Sequence, residues 1–296
     1  MSTINLLSPA KINLTLEILG VRPDGYHELR SIIQPIDFFD EVRIEAEEGG
    51  GITLESSGIE IPEGSDNLAW KAAEKYLGES GLPLSVKINI KKRIPPGSGL
   101  GGGSGNAAAV LVGLNKLTGA LTEEKLLSIA GGIGADVSFF IRPQSAVAVG
   151  MGEKITLLRD FPIFYYLVLC PKLHISTEEI YKKWDELNPS PEENSLNASG
   201  PDIEERVSAF RDREKPPPLG NDLEEAAIKL YPEINSYKKI LSSMGAKSVM
   251  MTGSGSSVYA LFKKEDEAVD AYEYLKTSPT FKSILAGGIK GWHFVI

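Results

Sequence analysis

The sequence predicts an α+β protein folded in two lobes. Three observations carry that expectation: strand-period segments dominate the start of the chain, the second half reads as a βαββαβ unit, and 296 residues suffice for two ordinary domains. The pattern changes near residues 158–162, which places an N-terminal lobe at 1–160 and a C-terminal lobe at 161–296.

In the first half, Ile12, Leu14, Leu16 and Ile18 alternate with Lys11, Asn13, Thr15 and Glu17, the period of a half-buried strand. Lys11 and Asn13 therefore share one face. Pro23-Asp24-Gly25 reads as a turn that presents Tyr26 and His27 just beyond it. Strands are expected near 28–36, 40–47 and 52–56, forming a meander. Spacing then becomes helical, with Ala69, Ala72, Ala73, Tyr76 and Leu77 on one stripe and Ser65 or Asp66 as N-cap. Val86, Ile88 and Ile90 mark a strand that runs into a glycine-rich segment. Helices follow at 104–118 and 122–132 and after Gly134, then strands within 145–157.

In the second half, the order is strand 163–171, helix 176–187 with a Ser176/Glu179 capping box, and two helices within 221–244. Strands 247–251 and 257–263, helix 265–276 and a closing strand at 289–295 complete the unit. The stretch 188–221, rich in Pro, Ser, Asn and charge, reads as a mobile surface excursion or lid. No internal repeat interrupts this order.

A net charge of −9, from 40 acids against 31 bases, argues against a general nucleic-acid binder. An anionic ligand would need a local basic pocket. No apolar run approaches the roughly 18 residues of a membrane span. Lys11 interrupts the apolar N-terminal stretch, which therefore does not read as a secretory leader, and a cytoplasmic location is expected. Asn197-Ala198-Ser199 matches a glycosylation sequon, which without a secretion route is a chance match. The single cysteine, Cys170, lies in an apolar run and reads as a small buried hydrophobe, so no disulfide can form within the chain.

Residues 94–109, "IPPGSGLGGGSGNAAA", place six glycines between a strand and an alanine-rich helix. Such a segment builds an anion site from backbone, because the helix N-terminus supplies unpaired N–H groups and about half a positive charge. A polyphosphate is the matching ligand. Gly97-Ser98-Gly99-Leu100-Gly101-Gly102 satisfies G-x-G-x-x-G, yet the acidic residue a dinucleotide fold needs about 20 positions on falls in a helix start. No lysine follows Gly102 or Gly103, which excludes a Walker A loop.

The run from Pro95 to Ser104 resembles the second motif of the GHMP small-molecule kinases. Three other segments resemble motifs of the same family in the right order: "SPAKINLTLEILGVRPDGYHEL" at 8–29, "GADVSFF" at 134–140 and "MTGSGSSVYALF" at 251–262. The triple glycine 101–103 and the pair Tyr26-His27 resemble one branch of that family. The resemblance implies transfer of the γ-phosphate of ATP, with Mg²⁺, to the 2-hydroxyl of 4-diphosphocytidyl-2-C-methyl-D-erythritol in the non-mevalonate route to isoprenoids. It also implies an N-terminal lobe like ribosomal protein S5 domain 2 and a ferredoxin-like C-terminal lobe.

Site residues follow from the same resemblance. Asp136, which by itself reads as a helix N-cap, matches the family's catalytic aspartate, and Lys11, which by itself reads as a solvated surface residue, matches its partner lysine. Tyr26 would stack on the cytosine, His27 would hydrogen-bond its edge, and Asn13 would touch the substrate. Thr177 and Tyr181 would close the nucleoside pocket, although a capped helix with a core tyrosine explains them equally. ATP would lie along Pro95, Pro96, Gly97, Ser98, Gly99, Leu100, Gly101, Gly102, Gly103, Ser104 and Gly105, its adenine between Asn67, Leu68 and Lys92. Ser104 is the hydroxyl available to Mg²⁺. Two positions depart from the family pattern: Gly105 replaces a second serine, and Ser138 replaces a proline. Another polyol or a mevalonate-type acid is an alternative substrate, against which Tyr26-His27 and the triple glycine argue. A silent nucleotide-binding protein is a further alternative, against which Lys11 together with Asp136 argues. The oligomeric state is open.

Overall fold

The structure, a computed structural model, describes residues 1–189, 202–212, 215, 217–246 and 248–295. The chain begins with two long strands, β1 (Ser2–Val21) and β2 (His27–Glu48), paired antiparallel across the tight turn at 22–26. Strand β3 (Ile52–Gly58) leads through a 3₁₀ turn (Gly64–Asp66) and α1 (Leu68–Ser80) to β4 (Leu84–Lys92). The expected meander does not form: β4 inserts between β2 and β3, antiparallel to the former and parallel to the latter. Crossover through α1 permits the parallel pairing, which a short hairpin cannot. Asn67 rather than Ser65 or Asp66 caps α1, accepting from the Ala69 N–H at 2.9 Å.

The glycine segment opens into α2 (Gly102–Thr118), two residues earlier than expected, and α3 (Glu123–Gly131) and α4 (Ala135–Ile141) follow. Ala107, Ala108, Ala109, Val110 and Leu111 of α2 are all buried, as a helix apolar all round must be. It sits between the sheet and α1, whose Ala69, Ala72, Ala73 and Tyr76 form the expected stripe. Strands β5 (Ala146–Gly150) and β6 (Lys154–Leu157) extend the sheet from β2.

A second sheet holds β7 (Tyr165–Pro171), β9 (Val249–Met251), β10 (Val258–Phe262) and β11 (Phe281–Gly287) in the order β11-β7-β10-β9, with antiparallel neighbours throughout. This is the ferredoxin-like βαββαβ arrangement. Its last strand is β11, not the expected 289–295. Phe281, Ile284 and Ala286 supply the buried positions, but their uneven spacing hides the strand period. The strand expected at 289–295 exists as β12 (His293–Val295) and returns to the first sheet, antiparallel to β1. Strand β8 (Gly220–Asn221) also joins β1, so two strands from beyond residue 160 complete the first sheet.

One face of the second sheet carries α5 (Thr177–Leu187), α7 (Glu224–Leu230), α8 (Glu233–Ser243) and α9 (Glu265–Leu275). Its other face packs on the first sheet, where Ile12, Leu14, Ile32 and Ile36 meet Tyr166, Val168, Tyr259 and Ile284. Within 188–221, residues 190–201, including the Asn197 sequon, and residues 213, 214 and 216 lie outside the described residues. The remainder corrects the expectation of an irregular excursion. Residues 203–211 form α6 (Ile203–Arg211), whose Val207 and Phe210 are buried against Phe161 and Phe164. An i, i+4, i+7 apolar stripe set among charges carries that helix. Among the described residues no helix is long and apolar enough to cross a membrane.

Candidate active site

A register shift in β1 decides which way Lys11 and Asn13 point. Leu6 packs under the helices, whereas Ala10, Ile12 and Leu14, in the same sequence phase, pack between the two sheets. The change coincides with an irregularity in β1–β2 pairing between Pro9 and Ala10. Beyond it Lys11 and Asn13 face the helix layer, where both are almost fully buried. Lys11 Nζ donates to Asn13 Oδ1 and lies 3.5 Å from Asp136 Oδ2.

Asn13 is held on every side. Its Nδ2 donates to Ser31 Oγ at 2.9 Å, its backbone N–H donates to Thr252 Oγ1 at 3.0 Å, and its carbonyl accepts from Tyr259 Oη at 2.9 Å. These contacts fix the amide with its oxygen toward the ammonium. Asp136 does not act as the N-cap of α4; Gly134 takes that position, which leaves the Asp136 carboxylate in the first turn and about one-third exposed. Burial is the main cause that raises the Tyr181 hydroxyl well above its ordinary pKa, with the nearby Asp136 charge adding to it.

The glycine loop is anchored from both lobes. Lys11 N–H donates to the Leu100 carbonyl at 3.0 Å, and Ser257 N–H to the Ser98 carbonyl at 3.2 Å. At Gly99, with φ +78°, a Cβ would lie 2.2 Å from the Thr252 carbonyl oxygen, so only glycine lets the two loops cross. Gly101 caps α2 with no side-chain bond, and the first-turn N–H groups of Gly102, Gly103 and Ser104 open toward the cleft.

On the far side, the turn carrying Tyr26 is braced by Arg22, which hydrogen-bonds Asp24 and holds its carboxyl below the usual range, and by Asp24 Oδ1, which accepts from Tyr26 N–H. Tyr26 is 62% exposed, a ring free to stack on a ligand. His27 Nε2 lies 2.8 Å from Asp185 Oδ1, while Tyr181 and Trp184 flank its ring at centroid distances of 4.7 and 5.5 Å. Thr177 Oγ1 and Ser254 Oγ, 2.8 Å apart, join α5 to the loop after β9.

These groups surround one cleft of about 1080 Å³. Of the residues expected in the site, Lys11, Asp136, Asn13, Tyr26, His27, Thr177, Tyr181, Leu68, Pro95–Gly99 and Gly101–Ser104 line it. Four do not. Asn67 caps α1 and donates to the Pro62 carbonyl; Leu100 is wholly buried; Lys92 is paired with buried Asp40; Gly105 faces Ser8 and Pro9 beneath α2. A serine hydroxyl at position 105 would therefore point into the core, away from the cleft. Sequence reasoning missed Ser31, Gly253, Ser254 and Asp185 on the wall. Asp185 was within reach: Thr177, Tyr181 and Asp185 recur every four residues on one helix face.

The model of the GHMP kinases N terminal domain matches residues 67–143, from the cap of α1 through the glycine loop and α4, and that of the GHMP kinases C terminal matches residues 207–279. The chain belongs to the GHMP kinase family. Within it, the chain is 39% identical over 269 residues to the 4-diphosphocytidyl-2-C-methyl-D-erythritol kinase of Geobacter sp. (strain M21), covering 90% of this chain and 92% of that one. It is 40% identical over 284 residues to the enzyme of the same name from Acetivibrio thermocellus, covering 94% and 96%. A crystal structure of 4-(cytidine 5'-diphospho)-2C-methyl-D-erythritol kinase superposes with a TM-score of 0.81 at 34% identity, covering 97% of this chain and all of that one. A homoserine kinase from Cytophaga hutchinsonii, at 18% identity and a TM-score of 0.70, shares the fold.

Proposed function

We propose that this chain transfers the terminal phosphate of ATP to the 2-hydroxyl of 4-diphosphocytidyl-2-C-methyl-D-erythritol, in the cytoplasm and in the non-mevalonate route to isoprenoid precursors. The observation that carries the reading is the Lys11–Asp136 pair, held within one cleft between the first turn of α2 and the Tyr26-His27 turn. The identity to kinases of that name over nine-tenths of the chain supports the choice of substrate.

In this reading the first-turn N–H groups of α2 receive the phosphates of ATP, supported by the helix dipole. Asp136 orients the attacking hydroxyl and accepts its proton, and Lys11, aimed by Asn13, stabilises the charge that develops on the attacking oxygen as that proton leaves. Phosphoryl transfer asks chiefly for positioning and charge neutralisation, which this pair supplies without covalent participation. Tyr26 and Tyr181 provide aromatic faces for the cytosine, and His27 meets its edge. Among the described residues no group of three or more His, Cys, Asp or Glu could hold a metal; Ser104 Oγ, on the cleft wall, would help to hold a cation that enters with ATP. When bound, Mg²⁺ neutralises charge on the β- and γ-phosphates.

The test is ADP release in a coupled assay with the cytidylylated substrate beside uncytidylylated methylerythritol, galactose, homoserine and mevalonate. Selective turnover of the first is expected. Turnover of another alone overturns the assignment.

A further inference from the structure

His27 and Asp185 come from opposite sides of the cleft, one at the start of β2 and the other in the last turn of α5. Their 2.8 Å contact is a hydrogen bond between an imidazole nitrogen and a carboxylate. An ionised carboxylate can only accept, so Nε2 must carry the proton, whether the ring is neutral or charged. In the neutral ring Nδ1 is then a bare lone pair. Among the described residues no protein hydrogen bond engages Nδ1, and the ring cannot turn freely, because Tyr181 lies tilted over it at 33° and Trp184 meets its edge at 88°. The His27 side chain is 10% exposed, and both it and Asp185 line the cleft.

We propose that Asp185 is a specificity-determining positioning residue: by accepting a hydrogen bond from Nε2–H of His27 it leaves Nδ1 of the neutral ring as an acceptor, which selects a pyrimidine bearing an exocyclic amine over one bearing a carbonyl there. Cytosine offers a donor amine at its 4-position, whereas uracil offers an acceptor that would face the lone pair. The inference rests on the reading above, in which His27 meets the base edge. The amine supplies one matched hydrogen bond and the carbonyl leaves two acceptors opposed, so a discrimination of about tenfold or more is expected from this contact.

Asp185→Asn keeps the shape of the side chain but can donate as well as accept, which frees His27 to carry its proton on either nitrogen. Steady-state kinetics of the full chain with the cytidylylated substrate and its uridylyl counterpart should show KM for the former raised about tenfold, kcat and KM for ATP within about twofold, and the preference for cytidine reduced by about tenfold. Asp185→Glu should restore part of that preference. Unequal loss is the discriminating result, since a contact that merely joins α5 to β2 would weaken both substrates alike and leave their ratio unmoved. ¹⁵N NMR of the wild-type His27 ring, without substrate, should report the Nε2–H tautomer. An Nδ1–H tautomer, or an unchanged cytidine-to-uridine ratio in Asp185→Asn, overturns the proposal. Wild-type enzyme that turns over neither pyrimidine substrate would instead overturn the proposed function, while the NMR result would still stand as the test of the His27–Asp185 geometry.

Discussion

Lys92 and Asp40 form an ion pair sealed beneath the first turn of α2, with side chains 2% and 0% exposed. Asp40 Oδ1 also accepts from the backbone N–H groups of Arg93 and Ile94 at 2.7 and 2.8 Å. A Cβ on Gly102 would lie 2.6 Å from Lys92 Nζ, so the pair fills the space directly behind the glycine loop. Burial lowers the pKa of Lys92, and the charge of Asp40 opposes that shift. The lysine thus ties the end of β4 to β2 where the loop begins. Lys92→Met or Asp40→Asn should lose about 3–5 kcal/mol in denaturant unfolding, because each strands a buried charge or polar group. Lys92→Met combined with Asp40→Asn should lose less than the two singles added. A loss under about 1 kcal/mol in both singles would contradict a stabilising pair.

Asp136→Asn should lower kcat by about two to four orders of magnitude while KM for ATP stays within a few-fold, because in the proposed reaction the carboxylate serves the acceptor hydroxyl and not the nucleotide phosphates. Its side chain is 34% exposed and caps nothing, but it is a carboxylate beside buried Lys11, so thermal stability should fall, by less than in the fully sealed Lys92–Asp40 pair. Lys11→Met should lower kcat comparably. Turnover unchanged in either variant would remove the pair from the reaction.

Gly105 faces away from the cleft, and a Cβ there would lie 2.7 Å from Ser8 Oγ and 3.0 Å from the Pro9 carbonyl oxygen. Gly105→Ala should therefore destabilise by about 1–3 kcal/mol through overpacking. Ser8 Oγ is buried with no partner, so Ser8→Ala alone should cost under about 1 kcal/mol. The double variant should recover much of the loss, a coupling that equilibrium unfolding of the four proteins measures. Strict additivity would show that the crowding is relieved elsewhere.

Cys170 is enclosed between the sheets, and burial raises its thiol from 9.0 to about 11, against a weaker opposing hydrogen bond from Ser257 Oγ at 3.3 Å. The folded protein therefore holds this proton more tightly than the unfolded chain. The resulting stability is present in full below pH 9 and is lost as the pH rises through about 11, by about 2–3 kcal/mol at most. Cys170→Ala should be less stable than the wild type at pH 8, with a gap that narrows toward pH 11, measured by urea unfolding at fixed pH steps. A gap independent of pH would mean that the thiol is not held protonated.

Much of this molecule is legible locally. The Ser176 cap forms where expected, accepting from Glu179 N–H at 3.3 Å, and the alanine stripe of α1 and the strand-to-loop-to-helix transition at 92–102 lie close to their expected places. Each rests on φ preferences, caps or periodicities that act within about four residues. The cleft contacts of Asn67, Lys92 and Gly105 were misplaced because burial and partner, not residue type, decide which way a side chain points. Asn67 caps a helix, Lys92 answers an aspartate 52 positions away, and Gly105 meets Ser8.

By itself, then, the sequence determined the glycine loop at a helix N-terminus, the turn presenting Tyr26 and His27, and most of the elements that carry them. Only the tertiary structure decided that β1 changes faces between Pro9 and Ala10 to bring Lys11 to Asp136, that β12 returns to β1, and that Asp185 reaches His27. The reason is physical: a strand's period states which residues share a face, but which face is buried and which strand is its neighbour depend on apolar surface contributed from far along the chain.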